Sequence, residues 1–191
     1  MTVLEIASSK APQEVENMLT RLQPAFPGLA KATETRFSQP RLIKPTLTFD
    51  SSAVAISFVP ASNRDRDRYT YHHLRRDTYD MVAATGVSIG SRYFAPSAHV
   101  TLGRFITQEG FTRPKAEGRG VDQAKVGDVI KGFERINRWL EDEYTQQDDG
   151  NFPNGGMWVV GEEKKLECRK GTIWYGGGEN VLQGQDSQPS N

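Results

Sequence analysis

The stretch from Leu42 to Val59 constrains the fold more than any other part of this sequence. Two runs rich in strand-forming residues flank the polar tripeptide Asp50-Ser51-Ser52. β-Branched and aromatic residues favour extended backbone, and a short polar connection between two such runs favours a hairpin. We therefore predict strands at Leu42–Phe49 and Ala53–Val59, the second mostly buried. The run Ala98–Phe105 predicts a third strand.

Three further segments have the apolar spacing of amphipathic helices. The first begins at Pro12, which suits the first turn of a helix, and ends near Pro24. The second covers residues 71–82 and stops at Gly86. The third is the most regular and runs from residue 126 through about 144. Helices interspersed with hairpin-connected strands predict an α+β fold with antiparallel sheets and flanking helices.

The remaining segments are short or polar. Pro27 and Gly28 predict a loop, and the stretch 108–120, rich in Gly, Pro, Lys and Arg, predicts an exposed loop. The opening MTVLEIA predicts a strand from its second residue, because Val3 and Ile6 are β-branched and Leu4 is apolar. We expect a disordered polar tail at 179–191, after a single domain at 1–178. Short closing strands are expected at 157–161, 165–169 and 172–175.

Composition excludes several classes of protein. The 24 basic and 24 acidic residues cancel, which argues against a protein that coats nucleic acid. The single cysteine, Cys168, excludes an internal disulfide and a cysteine-based zinc site, and is expected to pack as a small hydrophobe. No apolar run reaches the roughly 20 residues that span a membrane. We expect a monomer in the cytoplasm or nucleus, with no metal and no cofactor.

Two of the three histidines, His72 and His73, are adjacent on the second predicted helix. Both fall away from its apolar face, so we interpret them as surface imidazoles. Adjacent residues also lack the i, i+4 spacing of a helical metal pair. Just before this helix, the run of alternating charge at 63–68 predicts a solvated helix entry and a neutral surface.

His99 lies in the third predicted strand, where side chains alternate between two faces. Ala98, Val100 and Leu102 would enter the core. His99 and Thr101 would share the other face with Gly103, which leaves room for something to approach. An imidazole and a hydroxyl about 6–7 Å apart suit either a satisfied structural histidine or a functional one.

The sequence around His99, AHVTLGRF, resembles the second H-x-T motif of the two-histidine (2H) phosphoesterase superfamily. More narrowly, the chain is similar to the fungal RNA ligase/cyclic nucleotide phosphodiesterase-like branch. The stretches that carry this likeness are MTVLEIA, YTYHHLRRDTYD, SRYFAPSAHVTLGRF and LECRKGTIWYGGGE. The resemblance implies two pseudo-symmetric lobes, each giving one H-x-T strand to a central cleft. It also implies metal-independent hydrolysis of a cyclic phosphate on a nucleotide or an RNA 3′ end.

By this resemblance, His99 would be one acid/base group and Thr101 a hydrogen-bond donor to a phosphate oxygen. The first motif of the family would read H-M-T-V-L-E, and this chain supplies all of it except the histidine. Thr2 therefore matches the first hydroxyl, while its histidine would precede Met1. We expect a chain cut within its first motif, lacking the strands that come before it and impaired in catalysis.

Two explanations of the cut compete: a mis-started reading of a longer gene, and a natural short form that has lost catalysis. The alternative function is a non-catalytic module that binds a nucleotide or an RNA end. A truncated product without a stable fold is a third possibility, because missing strands would bare a sheet edge.

Two aromatic residues are candidates for substrate binding. Tyr175 precedes the run Gly176–Gly178, and Phe94 lies shortly before the His99 strand. Either ring could stack on a base, and Tyr175 could reach the substrate phosphate. Packing within the core is the competing interpretation for both.

Overall fold

The computed structural model describes residues 1–34, 39–90, 98–115, 118–145, 151–173 and 177–182. The chain is an α+β protein with antiparallel strand pairs, as the sequence predicts. Its helices are α1 (Pro12–Leu22), α2 (Phe26–Lys31), α3 (Tyr71–Ala83) and α4 (Gln123–Tyr144). Its strands are β1 (Arg41–Phe49), β2 (Ala53–Pro60), β3 (Ala98–Arg104), β4 (Thr112–Lys115), β5 (Gly118–Val121), β6 (Met157–Val159), β7 (Arg169–Lys170) and β8 (Glu179–Asn180). No helix in these ranges is long and apolar enough to cross a membrane.

The chain divides into two compact units. Unit 1 comprises Met1–Thr2, Leu42–Pro60 and Pro96–Trp158, and unit 2 comprises Val3–Arg41, Ala61–Ala95 and Val159–Asn191.

The main sheet of unit 1 has the strand order β3-β2-β1-β6. The predicted hairpin is confirmed: β1 and β2 pair antiparallel, with Leu47 opposite Ile56 and Phe49 opposite Val54. The Asp50 carboxylate closes the turn by accepting hydrogen bonds from the N–H groups of Ser52 and Ala53, at 2.7 and 2.8 Å. A short polar turn with an acceptor side chain therefore sets this register.

A bulge interrupts β1 at Lys44 and Pro45. Ile43 pairs with Val59 and Thr46 with Ser57, so three steps along β1 match two along β2. Lys44 has φ +55°, an uncommon backbone conformation for a residue with a side chain. The irregularity accommodates Pro45, which has no N–H to give to a ladder.

The described residues of 108–120 are largely exposed, as the sequence predicts, but they do not form a loop. A 3₁₀ turn at Glu109–Phe111 leads into a hairpin of β4 and β5, in which Arg113 lies opposite Gly120. Phe111 also packs edge-to-face on Phe105, with ring centroids 5.8 Å apart. The high content of Gly and Pro therefore predicts a loop where the backbone forms the β4–β5 hairpin.

Unit 2 has its own apolar core. Buried residues of α1, α2 and α3 form it together with neighbouring residues: Leu22, Ala25, Phe26, Leu29, Val82 and Val87. The loop predicted at Pro27 and Gly28 is wrong, because these residues lie inside α2. Proline is tolerated in the first turn of a helix, where its missing N–H has no partner to lose.

The strand predicted in MTVLEIA is also wrong, since residues 1–7 form no strand. Leu4 and Ile6 do pack against the core of unit 2. The backbone bonds irregularly instead: Val3 O accepts from Arg75 Nε at 2.9 Å, and Ile6 O accepts from Gly90 N at 2.9 Å. Leu4 and Ile6 are partly buried, but the backbone of this segment bonds to the Arg75 side chain and the Gly90 backbone rather than to a partner strand.

The end of the chain differs from the prediction at two places. Of the three predicted closing strands, the first is present as β6. The second is strand only at Arg169, the first residue of β7, and Thr172 and Ile173 of the third form none. Two residues of the expected disordered tail, Glu179 and Asn180, form β8 and pair with β7. Val181 and Leu182 pack against the core of unit 2 because both are apolar. Residues 183–191 lie outside the described ranges.

The charged run at 63–68 is not uniformly solvated. Asp67 is buried, and its two carboxylate oxygens accept from Arg41 Nε and Nη2 at 2.8 and 2.9 Å. Asn63 N also donates to this carboxylate at 2.7 Å. Burial alone would raise the pKa of Asp67, but these hydrogen bonds outweigh it and hold the pKa below its ordinary value. Asp67 therefore holds Arg41, the first residue of β1, in place.

Candidate functional site

The candidate site is the polar face of the β1-β2-β3 sheet in unit 1. His99 lies opposite Ser57 in the β2–β3 register, and Thr101 lies opposite Ala55. Directly opposed residues of an antiparallel pair share a face, with Cβ atoms about 4.5–5.5 Å apart. His99, Thr101 and Ser57 therefore share one face, as the alternation of β3 predicts for the first two.

The same face continues onto β1. Thr46 lies opposite Ser57, and Thr48 lies opposite Ala55. The hydroxyls of Thr48 and Ser57 are 2.8 Å apart, so they are hydrogen-bonded across the strands. Three strands thus bring an imidazole and four hydroxyls to one surface: His99, Thr101, Ser57, Thr46 and Thr48.

The side chains of this face differ in their exposure to solvent. Ser57 is 8% exposed and His99 is partly buried, whereas Thr101, Thr46 and Thr48 are exposed. The threonine hydroxyls are therefore the groups of this face that are most open to a ligand.

Thr46, Thr48 and Ser57 are not among the site residues that the sequence predicts. Their signal is the alternation of polar and apolar residues within the hairpin, where Leu47, Phe49, Ile56 and Phe58 occupy the intervening positions. This alternation places the strands, but the register between strands decides which of their residues share a face with His99.

The apolar face of the sheet differs from the prediction at Leu102. Ala98 is 1% exposed and Val100 is partly buried, but Leu102 is 59% exposed. The register explains this: Ala55 pairs with Thr101 and Val54 with Gly103, so Leu102 is an extra residue in a bulge.

The bulge also removes Gly103 from the row of His99 and Thr101, because Gly103 lies opposite Val54 of the other face. The open space expected beside Gly103 is nevertheless present. A Cβ atom at this position would meet no atom within 4 Å.

The apolar face is covered by aromatic contacts. Phe49 packs on Phe133 of α4 with ring centroids 4.6 Å apart, and Phe58 packs edge-to-face on Trp158 of β6 at 5.6 Å. These contacts lie on one face of the sheet, and His99 lies on the opposite face.

Three other predicted site residues have different outcomes. Thr2 is exposed, lies outside any helix or strand, and belongs to unit 1, the unit that contains β3. Tyr175 and Phe94 lie outside the described residues.

The two helical histidines belong to unit 2 and differ from each other. His72 is an exposed imidazole, as predicted. His73 is partly buried: its Nδ1 accepts from Thr70 N at 3.1 Å and lies 2.9 Å from Thr70 Oγ1. It is the third helical residue of a capping box at the start of α3, so its role as a surface imidazole was predicted wrongly.

Tyr69 and Asp77 complete the surroundings of His73. The Tyr69 ring stacks on the imidazole with centroids 5.8 Å apart. Burial raises the pKa of Tyr69, and its hydrogen bond to Asp77 raises it further. Burial would raise the pKa of Asp77, but hydrogen bonds from Arg76 and Tyr69 lower it overall. This cluster holds His73 in place by stacking and capping.

No group of three His, Cys, Asp or Glu side chains in the described ranges could hold a metal ion together. Cys168 packs against the core of unit 2, as predicted, and burial raises the pKa of its thiol.

A cleft of about 200 Å³ lies beside β1 in unit 1. It touches the candidate face only through Thr46, and its other lining residues are Lys44, Pro45, Asn137, Leu140, Glu141 and Thr145. None of the residues singled out by the sequence lines it.

Comparison of the chain with protein-family models, with curated proteins and with solved structures finds no match.

Proposed function

We propose that this chain is a metal-independent phosphoesterase of the 2H type that acts on a 2′,3′-cyclic phosphate, with His99 as one of its acid/base groups. The observation that carries the proposal is the polar face of the main sheet, where His99 and Thr101 share a surface with three further hydroxyls.

The chemistry needs groups of this kind. Hydrolysis adds water to phosphorus and breaks one P–O bond to the ribose, giving a phosphomonoester and a free ribose hydroxyl. One group must take the proton of the attacking water, and another must protonate the leaving alkoxide. An imidazole suits either task near neutral pH. Hydroxyls such as that of Thr101 can donate to non-bridging oxygens as their charge grows.

The proposal includes the two-lobed architecture of the family, but the two compact units of this chain do not correspond to lobes with one motif each. The resemblance implies one motif from each lobe, whereas Thr2 and His99 both belong to unit 1. The monomeric state and the cytoplasmic or nuclear location stay predictions.

A second candidate function is binding without turnover. It is favoured by the positions of the histidines: His72 and His73 lie on α3 in unit 2, and His73 caps that helix. No second imidazole from the described residues joins His99 on the sheet. Loss of one of two acid/base groups costs about 10²–10⁴-fold in rate.

The test compares three proteins on a nucleoside 2′,3′-cyclic phosphate. They are the chain as given, the chain with a histidine placed directly before Met1, and a control with alanine placed there. We expect turnover to rise about 10²–10⁴-fold with histidine and not with alanine. Binding by all three without turnover would favour the binding module, and no binding by any would refute both functions.

A further inference from the structure

Helix α4 packs on the main sheet through one face and carries large apolar side chains on another. The packed face includes Phe133, which contacts Phe49, and the buried Leu140. Further around the helix, Ile136 is 42% exposed and Trp139 is 51% exposed. Exposed large apolar residues that share a helix face indicate a surface for association.

A seven-residue spacing defines this exposed face. Val129 and Ile136 are seven residues apart, and so are Gly132 and Trp139. At 3.6 residues per turn, these four positions follow one line along the helix, which is the a/d pattern of a coiled coil. One charged residue continues each series by a further step, at opposite ends of the helix. The complete set, which we call the α4 stripe, is Lys125, Val129, Gly132, Ile136, Trp139 and Glu143.

The apolar part of the α4 stripe is complementary to itself in size. Reversing one helix of a coiled-coil pair places each a position level with a d position of the other helix. When two copies of α4 pair about the point midway between Gly132 and Ile136, these two residues lie level with each other. Val129 then lies level with Trp139. Each large side chain therefore meets a smaller residue, and Gly132 lets the two helices approach closely.

The charged ends of the stripe select the antiparallel direction. Lys125 and Glu143 are both exposed and lie five full turns apart, about 27 Å along the helix axis, so they cannot pair within one chain. An antiparallel pair sets Lys125 of each copy beside Glu143 of the other. A parallel pair would set like charges together at both ends.

We propose that α4 is a self-association surface, on which a second copy of this chain docks its own α4 stripe in the antiparallel direction. An interface of one helix from each copy is small, so the dissociation constant should be on the order of 100 µM. The monomer that the sequence predicts is then the form present at low concentration. The pairing does not depend on the proposed function, because the stripe contains no residue of the candidate face.

Sedimentation equilibrium of the chain as given, from about 5 µM to about 1 mM, measures the association. We expect the apparent mass to rise with concentration from that of a monomer towards that of a dimer. A monomer at every concentration in this range would overturn the proposal.

Charge reversal tests the direction of the pair. Lys125→Glu sets like charges at both ends and should raise the dissociation constant about 10-fold. Adding Glu143→Lys restores opposite charges and should return it to within about 3-fold of the wild-type value. Both substitutions suit the helix dipole, so α4 itself should keep its stability. Arg138→Glu, an equal charge change at an exposed position on another face of α4, is the control and should leave the association unchanged.

Glycine replacement tests the close approach of the helices. Gly132→Gln should raise the dissociation constant at least about 10-fold, because a bulky side chain in the central layer keeps the helices apart. It should also raise the thermal midpoint of the monomer, since glutamine is the better helix former and a Cβ at Gly132 would meet Arg135 Nη2 at 3.9 Å. Gly127→Gln is the control on the side of α4 away from the stripe, where a Cβ meets no atom within 4 Å. It should stabilise the monomer equally and leave the association unchanged.

Two further outcomes would overturn the proposal. Association that neither Lys125→Glu nor Gly132→Gln weakens in folded protein would use another surface of the chain. A double charge variant that associates as weakly as Lys125→Glu alone would contradict the antiparallel pairing. The result that supports the proposal is weaker association of a more stable Gly132→Gln protein, together with recovery in the double charge variant.

Discussion

The side-chain amide of Asn137 satisfies both backbone hydrogen-bonding groups of Leu47. Its Oδ1 accepts from Leu47 N at 2.7 Å, and its Nδ2 donates to Leu47 O at 3.0 Å. Both groups of one strand residue point to the same side, here the side of β1 away from β2. A residue of α4 thus completes the edge of β1 at this position, as a neighbouring strand would.

Replacing Asn137 with leucine should remove both hydrogen bonds while keeping a similar volume. We expect a loss of about 2 kcal/mol in the free energy of unfolding, because Leu47 is buried and its backbone groups would lack partners. Urea denaturation measures it. Arg138→Ala, at the exposed next position of α4, is the control and should change stability by less than about 0.5 kcal/mol. Equal effects would contradict the role of Asn137.

Asp67→Asn should destabilise the protein by about 2 kcal/mol at pH 7, because Arg41 would lose a charged partner. The pKa of Asp67 is lowered in the folded state, so its contribution is present above the unfolded pKa of about 3.9. That contribution disappears as the pH falls through the folded pKa.

The difference between wild type and Asp67→Asn should accordingly be full at pH 7 and smaller at pH 3, as measured by denaturation at both values. Asp65→Asn, an exposed position in the same charged run, should have little effect at either pH. A difference for Asp67→Asn that does not depend on pH would contradict the assignment.

Thr33→Val should stabilise the protein by roughly 1 kcal/mol. Thr33 is 1% exposed, and its hydroxyl has no hydrogen-bond partner among the described residues. Valine has nearly the same shape and no group to leave unsatisfied.

Thr78→Val is the matched comparison for Thr33→Val. Thr78 is also buried, but its hydroxyl donates to Leu74 O at 2.7 Å, so the substitution should lower the thermal midpoint rather than raise it. Two shifts of the same sign would show that the hydroxyl environments do not decide stability.

His73→Ala should destabilise α3 by about 1 kcal/mol, the usual value of a helix cap. The imidazole accepts from Thr70 N, which would otherwise lack a partner at the helix start. Amide exchange in the first turn of α3 and chemical denaturation both measure the loss. His72→Ala, one residue earlier and exposed, should be nearly neutral. An equal loss from both would argue against the cap.

The sequence pattern predicts well the elements that depend on one short segment of the chain alone. The hairpin of β1 and β2 and the helices α1, α3 and α4 depend on local alternation or helical spacing, which burial of one face enforces. The row of His99 and Thr101 follows from the same alternation.

The sequence predictions fail where the local structure depends on a residue that is distant in the chain. In MTVLEIA, Leu4 and Ile6 are partly buried, and the backbone bonds to Arg75 and Gly90, which no local pattern encodes. Asp67 is buried because Arg41, 26 positions away, reaches it. Leu102 is exposed because of a bulge, which depends on the register with β2. Ser57 joins the site through pairing between strands.

Turnover by the histidine-extended chain, with and without His99→Ala, tests the central claim most directly. The substrate is a nucleoside 2′,3′-cyclic phosphate, and ³¹P NMR follows its conversion to the phosphomonoester. We predict that His99→Ala lowers turnover by at least about 10²-fold while the thermal midpoint stays near that of the parent. Undiminished turnover by a folded His99→Ala protein would contradict the account.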